Sequence, residues 1–273
     1  MNHAGGNERS VSELVARLVA ARRGATRVNA ADIVAVVASA EAAYAVQARV
    51  DATMWPEAAQ ASVWKAGADA RDALPTAAPI APPLVHASGA TLSAAAFSAI
   101  IVEAEVAYRF GSNLPPRASP YTSAEVADAI AAMHVAIEIV APRIADFEIA
   151  PPIAKLADHL LNGAFVLGDG IADWQRIDLL HQKAVLSIDG KVHESVQGSH
   201  PLGNPAVLLP WFVAHLNRLP TYDADGHAKP PRGVNAGDVV TTGSWTKVVE
   251  ARAKQRIDVT FLNIGAATVT FAA

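Results

Sequence analysis

The chain contains no cysteine, which excludes disulfides, iron–sulfur clusters and thiol nucleophiles and fits a reducing compartment. It has no basic cluster, and a formal net charge of −4 leaves no electrostatic footprint for nucleic acid. No stretch approaches the ~18 uninterrupted apolar residues of a membrane span, and the opening segment MNHAGGNERS carries no apolar signal core. A cytoplasmic protein without nucleic-acid or membrane partners is the expectation. The glycine patterns of the P-loop and the dinucleotide fold are absent, as are G-x-S-x-G and H-E-x-x-H. Nucleotide-dependent and serine-hydrolase chemistry therefore find no support.

What is present is 273 residues, 52% hydrophobic with much alanine in that share, enough for one large domain or a large domain with a small companion. Ser10 and Glu13 have capping-box spacing, followed by Val11, Leu14, Val15, Leu18 and Val19 at helical period, which predicts a helix to about Arg23. Ser39 predicts the cap of a second helix over 40–50, and VWKAGA (63–68) reads as a short strand. The proline-rich run 75–83 is expected to be an ordered loop or linker, dividing an N-terminal helical or α/β portion (1–83) from a main body (84–273).

The main body is richer in strand signals. Residues 99–110 form a long strand, and 184–197 a hairpin turning at Asp189-Gly190. Further strands are expected over 238–245 and 257–271, the latter broken at Asn263-Ile264-Gly265. Thr122 and Glu125 form a second capping box, predicting a helix that carries Val126, Ile130, Met133 and Ile137 on one face and reaches Glu138. Late strands with few helices between them indicate an α+β fold.

Within VEAEVAYRF (102–110), Glu103 and Glu105 stand on one face of a strand. Like charges facing inward need neutralisation, which a hard divalent cation supplies through carboxylate oxygens; a solvated edge strand gives the same pattern. Glu138, between two isoleucines, is a candidate third acid or a surface turn residue. Lys65 could orient a carboxylate or relay a proton, or could snorkel to the surface. His134 reads as structural, and His200 lies in a Gly/Pro-rich loop where ligand contacts are frequent.

SAEAAYAVQ (39–47), WKAGA (64–68), VEAEVAYRFG (102–111), AIEIVAPRIADFEI (136–149), ADHLLNGAFVLG (157–168), GSHPLGNPAVLLPWFVAHL (198–216) and AGDVVTTGS (236–244) follow one another in this order. Together they resemble the 2-keto-4-pentenoate hydratase / 4-oxalocrotonate decarboxylase family of the fumarylacetoacetase-like superfamily, over about residues 10–272. The resemblance implies a fumarylacetoacetase-like mixed β-roll with a small N-terminal α/β portion. It also implies a divalent cation, Mg²⁺ or Mn²⁺, on Glu103, Glu105 and Glu138, with Lys65 as the catalytic or substrate-orienting cation. The implied reaction is hydration of a 2-hydroxy-2,4-dienoate, through a cation-stabilised enolate, to a 4-hydroxy-2-oxo acid in the catabolism of aromatic compounds. A homo-oligomer is expected, with association to a partner catabolic enzyme also implied.

Several positions depart from the family pattern. Its A-D-N-A-S appears as Ala157-Asp158-His159-Leu160-Leu161, so His159 and Leu161 replace an asparagine and a serine. Its D-S-R appears as Ala141-Pro142-Arg143, VHASGATL (85–92) stands near an expected acidic segment, and YDADGHAKPPRG (222–233) is an added polar stretch. His159 is a candidate to inherit the asparagine's polar role; Arg143, Asn204 and Ser244 are candidate substrate contacts. Besides the hydratase, a 2-oxo diacid decarboxylase or other superfamily lyase or hydrolase, and a catalytically impaired metal- or ligand-binding homologue, remain open.

Overall fold

The computed structural model describes residues 3–24, 26–58, 60–68 and 70–273. Helices α1 (His3–Arg22), α2 (Ala30–Val34) and α3 (Ala40–Met54) come first, followed by strands β1 (Val63–Gly67), β2 (Thr76–Ile80), β3 (Val85–Ala87), β4 (Ala90–Ser93) and β5 (Ile101–Phe110). Then come α4 (Ser123–Asp128), β6 (Ile130–Val140), α5 (Pro152–Ala157), β7 (Asn162–Ile171) and the hairpin β8 (Lys183–Ile188) and β9 (Lys191–Gln197). The chain closes with α6 (Leu208–Leu216), β10 (Thr221–Tyr222), β11 (Ala228–Lys229), β12 (Val239–Ser244), β13 (Val249–Glu250), β14 (Arg256–Phe261) and β15 (Gly265–Ala272).

The larger sheet runs β2-β1-β12-β5-β6-β7-β3, with β13 pairing the start of β5; a second runs β4-β15-β14-β8-β9. Both are mixed, because β1–β12, β3–β7 and β4–β15 are parallel while their neighbours are antiparallel. The mixed sheets and segregated helices make this the expected α+β fold. One apolar cluster lies between the sheets. It takes Val102, Ala104, Val106 and Tyr108 from β5, Met133, Val135, Ile137 and Ile139 from β6, and Ile257, Val259, Val269 and Phe271 from β14 and β15. A second cluster packs α1, α2, α3 and α5 onto Ile101 and Val140 of the large sheet. Gly168 lets β7 cross β15, since a Cβ there would lie 2.4 Å from the Ala266 carbonyl oxygen.

The cap at Ser39 forms, its side chain accepting from the Ala42 amide. The 189–190 turn also forms, with φ of +51° at Asp189 and +77° at Gly190, as a two-residue hairpin requires. Three local expectations fail. Helix α1 starts well before Ser10, and Glu13 takes Arg9 one turn earlier at 3.1 Å instead of opening a helix. The run 75–83 is no plain loop: it contains β2, paired along its length with β1. The Thr122 capping box is real, but its helix ends at Asp128, and Met133, Ile137 and Glu138 lie on a strand. That strand is central and buried on both faces, so nearly every position is apolar and the spacing of any four fits a helix by chance.

Candidate active site

Because side chains alternate along a strand, sending Val102, Ala104 and Val106 to the core puts Glu103 and Glu105 on the opposite face. The register of β5 with β6 sets Glu103 directly across from Glu138. One carboxylate oxygen from each of Glu103, Glu105 and Glu138 lies within 4.8 Å of the others. Glu105 and Glu138 are buried and Glu103 is half-buried, so the cluster opens on the Glu103 side.

Strand β12 lies beside β5 and β1 beside β12; these neighbours bring the polar partners. The Lys65 ammonium donates to Glu138 Oε1 at 2.5 Å and to the Leu160 carbonyl at 3.1 Å. Asn162 Nδ2 donates to the same Glu138 oxygen at 3.0 Å, and the Thr241 hydroxyl donates to Glu105 Oε2. Glu138 Oε2 is buried with no hydrogen-bond partner among the described residues. Nothing in the local sequence pattern marks Asn162 or Thr241 as site residues. Both sit inside recognised segments, yet their contact with the acids follows from strand register across three strands, which spacing along the chain does not reveal.

Three carboxylates face one ammonium. Burial, followed by the neighbouring charge of Glu138, pushes the Glu103 carboxyl up to about 7, with Lys65 opposing. Burial and the charges of Glu138 and Glu103 push Glu105 well above the usual carboxylate range. Burial works against the Lys65 ammonium, but the charges of Glu138, Glu103 and Glu105 outweigh it and raise its pKa, so it stays cationic at neutral pH.

A pH effect follows for the metal-free protein. Between pH 4.5 and about 7 the folded state holds a proton on Glu103 that the unfolded chain releases. Stability therefore falls as pH rises through that window. Thermal midpoints of metal-free wild type and Glu103→Gln, measured from pH 5 to 8, are expected to diverge, with wild type losing more. Parallel curves would refute the assignment.

The turn between α5 and β7 borders this cluster. His159, Leu160 and Leu161 have φ of +53°, +51° and +68°, a left-handed run costing roughly 1–3 kcal/mol per residue that surrounding contacts must over-determine. Arg143 supplies many of them. It is buried, its Nε donates to Asp158 Oδ1 at 2.6 Å, and its other donors reach the carbonyls of Asp158, Ala141 and Asn162. These contacts make Arg143 a brace for the turn. Asp158→Ala would strand this guanidinium in the interior and is expected to lower unfolding free energy by about 3–5 kcal/mol. Urea denaturation checks this; a loss below about 1 kcal/mol would contradict it.

His159 is likewise buried, with Nδ1 3.0 Å from Arg22 Nη2 and Nε2 3.0 Å from Asp51 Oδ1. Its ring faces α1 and α3, whereas the neighbouring Leu160 carbonyl faces Lys65. Asn204 caps a short turn by accepting from the Ala206 amide at 3.0 Å. Ser244 sits across from Glu105 in register, its hydroxyl donating to the Thr246 carbonyl at 2.9 Å. His200 lies 3.0 Å from the Thr242 carbonyl and packs on Trp245, tying its loop to β12. His134 lies on β6, 3.1 Å from the Gly168 carbonyl. The structure thus gathers Glu103, Glu105, Glu138 and Lys65 at one point, sets Ser244 beside them in the sheet, and gives Arg143, His159 and Asn204 other partners.

The cluster fits a hard divalent cation. All its donors are carboxylate oxygens, as Mg²⁺ prefers, and a buried anionic oxygen without a partner otherwise costs several kcal/mol.

The fumarylacetoacetate (FAA) hydrolase C-terminal family model matches residues 56–272, and the chain belongs to this family. The chain is 31% identical over 170 residues to a 2-keto-4-pentenoate hydratase of Burkholderia vietnamiensis, covering 62% of this chain and 60% of that protein. It is 27% identical over 171 residues to a 2-hydroxyhexa-2,4-dienoate hydratase of Comamonas testosteroni, covering 62% and 59%. The matches thus span about 60% of the length of these curated relatives. Among solved structures, 4-oxalocrotonate decarboxylase from Pseudomonas putida G7, complexed with magnesium and adipate, superposes with a TM-score of 0.78 over 97% of each chain, at 19% identity. No helix among the described residues is long and apolar enough to cross a membrane.

Proposed function

We propose that the protein is a metal-dependent hydratase that converts a 2-hydroxy-2,4-dienoate into a 4-hydroxy-2-oxo acid. Glu103, Glu105 and Glu138 would hold Mg²⁺ or Mn²⁺, and Lys65 would be the catalytic cation. The observation that carries this reading is the convergence of Glu103, Glu105 and Glu138 at one point, with Lys65 donating to Glu138.

Bound there, the cation would supply Lewis acidity toward a substrate carboxylate and its adjacent C2 oxygen. In the reaction, the 2-hydroxyl proton is lost and C5 gains one, giving a conjugated 2-oxo acid. Water then adds across C3–C4, its hydroxyl to C4 and its proton to C3. Lys65, held cationic and fixed by two hydrogen bonds, orients the anionic substrate and presents a proton beside the reacting chain. The Thr241 hydroxyl and Asn162 amide hold Glu105 and Glu138 in place, so the acids are pre-positioned.

A second reading has one observation in its favour. Leu161 stands where the family pattern has a serine, and its side chain packs with the helical cluster; it offers no hydroxyl to water. Loss of CO₂ from a 2-oxo diacid needs no water and would use the same acids and lysine.

The test is an ultraviolet assay with 2-hydroxypenta-2,4-dienoate, with and without Mg²⁺ or Mn²⁺. Metal-dependent loss of dienol absorbance with 4-hydroxy-2-oxopentanoate formed is the expected result. A metal-loaded protein that leaves the dienol intact overturns it, and CO₂ release from a 2-oxo diacid would then establish the second reading.

A further inference from the structure

We propose that His159 is a positioning residue that, anchored by Asp51 and Arg22, holds the Leu160 carbonyl on the Lys65 ammonium. The role of Lys65 in turnover rests on the hydratase reading above; the anchoring itself does not.

Every residue of the turn is tied down by a different partner. Asp158 takes Arg143, Leu161 accepts from the Ala141 amide at 3.0 Å, and Asn162 donates to Glu138. Between them, Leu160 offers its carbonyl to Lys65 at 3.1 Å. That carbonyl points to the lysine because residues 159–161 are all left-handed, a backbone that bulky L-residues leave unless held. His159 is the side chain of this run with polar anchors.

The anchors fit a single ring state. Burial lowers the His159 pKa, which favours a neutral imidazole at pH 7. With the proton on Nε2, the ring accepts from Arg22 Nη2 at Nδ1, 3.0 Å away, while Nε2 lies 3.0 Å from Asp51 Oδ1 in an electrostatic contact without hydrogen-bond alignment. The other tautomer would set a lone pair against a carboxylate and a proton against a guanidinium. Asp51 lies on α3 and Arg22 on α1, so the N-terminal helices reach the site through this ring. Nothing in this chain of contacts touches Glu103 or Glu105, which stand on β5 in the sheet. Losing the ring should therefore release Lys65 from the Leu160 carbonyl while leaving Glu103 and Glu105 in place and Glu138 held by Asn162.

The experiment compares wild type, His159→Ala and Asp51→Ala, all loaded with Mg²⁺. Asp51 is 24% exposed, so its variant serves even if the histidine variant folds poorly. Lysines are labelled with a limiting dose of acetic anhydride and read by mass spectrometry, with Lys191 of the exposed hairpin as internal reference. Both variants are expected to acetylate Lys65 severalfold faster relative to Lys191, and to bind Mg²⁺ within about threefold of wild type. They should lose about 10–100-fold in kcat with KM changed by less than about threefold, the pattern of a misplaced catalytic group. The double variant is expected to be no worse than His159→Ala alone, because both act through one contact.

Unchanged Lys65 labelling in folded variants overturns the proposal. So does a general rise at all lysines with weakened Mg²⁺ binding, which would mark His159 as a packing residue. If wild type turns over no dienoate, the hydratase reading fails alone, and the labelling still decides the positioning.

Discussion

Lys65→Met is expected to reduce kcat by about 10²–10⁴-fold, the range for losing a positioned proton-transfer group, while KM changes much less. The methionine keeps the length and apolar stem of the side chain but removes the ammonium that meets Glu138 at 2.5 Å. The same change leaves Glu138, with no exposed side-chain surface, without a counter-charge. Removing one partner of a buried pair costs about 3–5 kcal/mol, so the metal-free variant should unfold at lower urea. A divalent cation replaces the lost positive charge, and saturating Mg²⁺ should recover most of that stability but none of the activity. A variant retaining more than a tenth of wild-type kcat would remove Lys65 from the mechanism.

Glu105→Gln should act in the opposite sense on stability. In the metal-free state Glu105 is a buried acid beside two others, its carboxyl pushed far up by burial and by Glu138. A neutral amide of the same shape lessens this repulsion and can still accept the Thr241 hydroxyl, so the metal-free midpoint is expected to rise. The cation loses a charged ligand, and Mg²⁺ affinity should fall by more than about 100-fold, beyond the range for removing an outer-shell partner. Wild type at a Mg²⁺ concentration of 100 times its dissociation constant gains about 2.7 kcal/mol; the variant at that concentration should gain almost nothing. Calorimetric scans with and without Mg²⁺ read both effects. A variant less stable than wild type without metal, yet still stabilised by it, would show that the acids serve another purpose.

Local chemistry made much of the site legible. Glu103 and Glu105 two residues apart in an apolar strand, and a lysine within VWKAG, each break a pattern that burial would otherwise impose. Glu138 is readable as an anomaly between isoleucines, although the spacing predicts a helix leading up to it where the chain forms strand β6. The identity of a fully buried segment's conformation is weakly encoded, because both faces are apolar and periodicity vanishes. Arg143 shows the converse. The family resemblance and its loop placement make it a candidate substrate contact, whereas the folded chain encloses it with Asp158 and three carbonyls. A charged side chain looks alike in sequence whether it meets a ligand or the backbone.

By itself, the sequence determined which residues form strands with one polar and one apolar face, where Ser39 and Thr122 cap helices, and which charges had to be neutralised inside. These are nearest-neighbour properties, set by alternation, capping and the cost of burying charge. The tertiary structure decided the rest. Pairing β5 with β6 set Glu103 against Glu138, inserting β12 and β1 beside them delivered Thr241 and Lys65, and the packing of α1 and α3 against the 158–162 turn gave His159 its partners. Each of these contacts joins residues from about 35 to 140 positions apart, and register across a sheet, not spacing along the chain, chooses such partners.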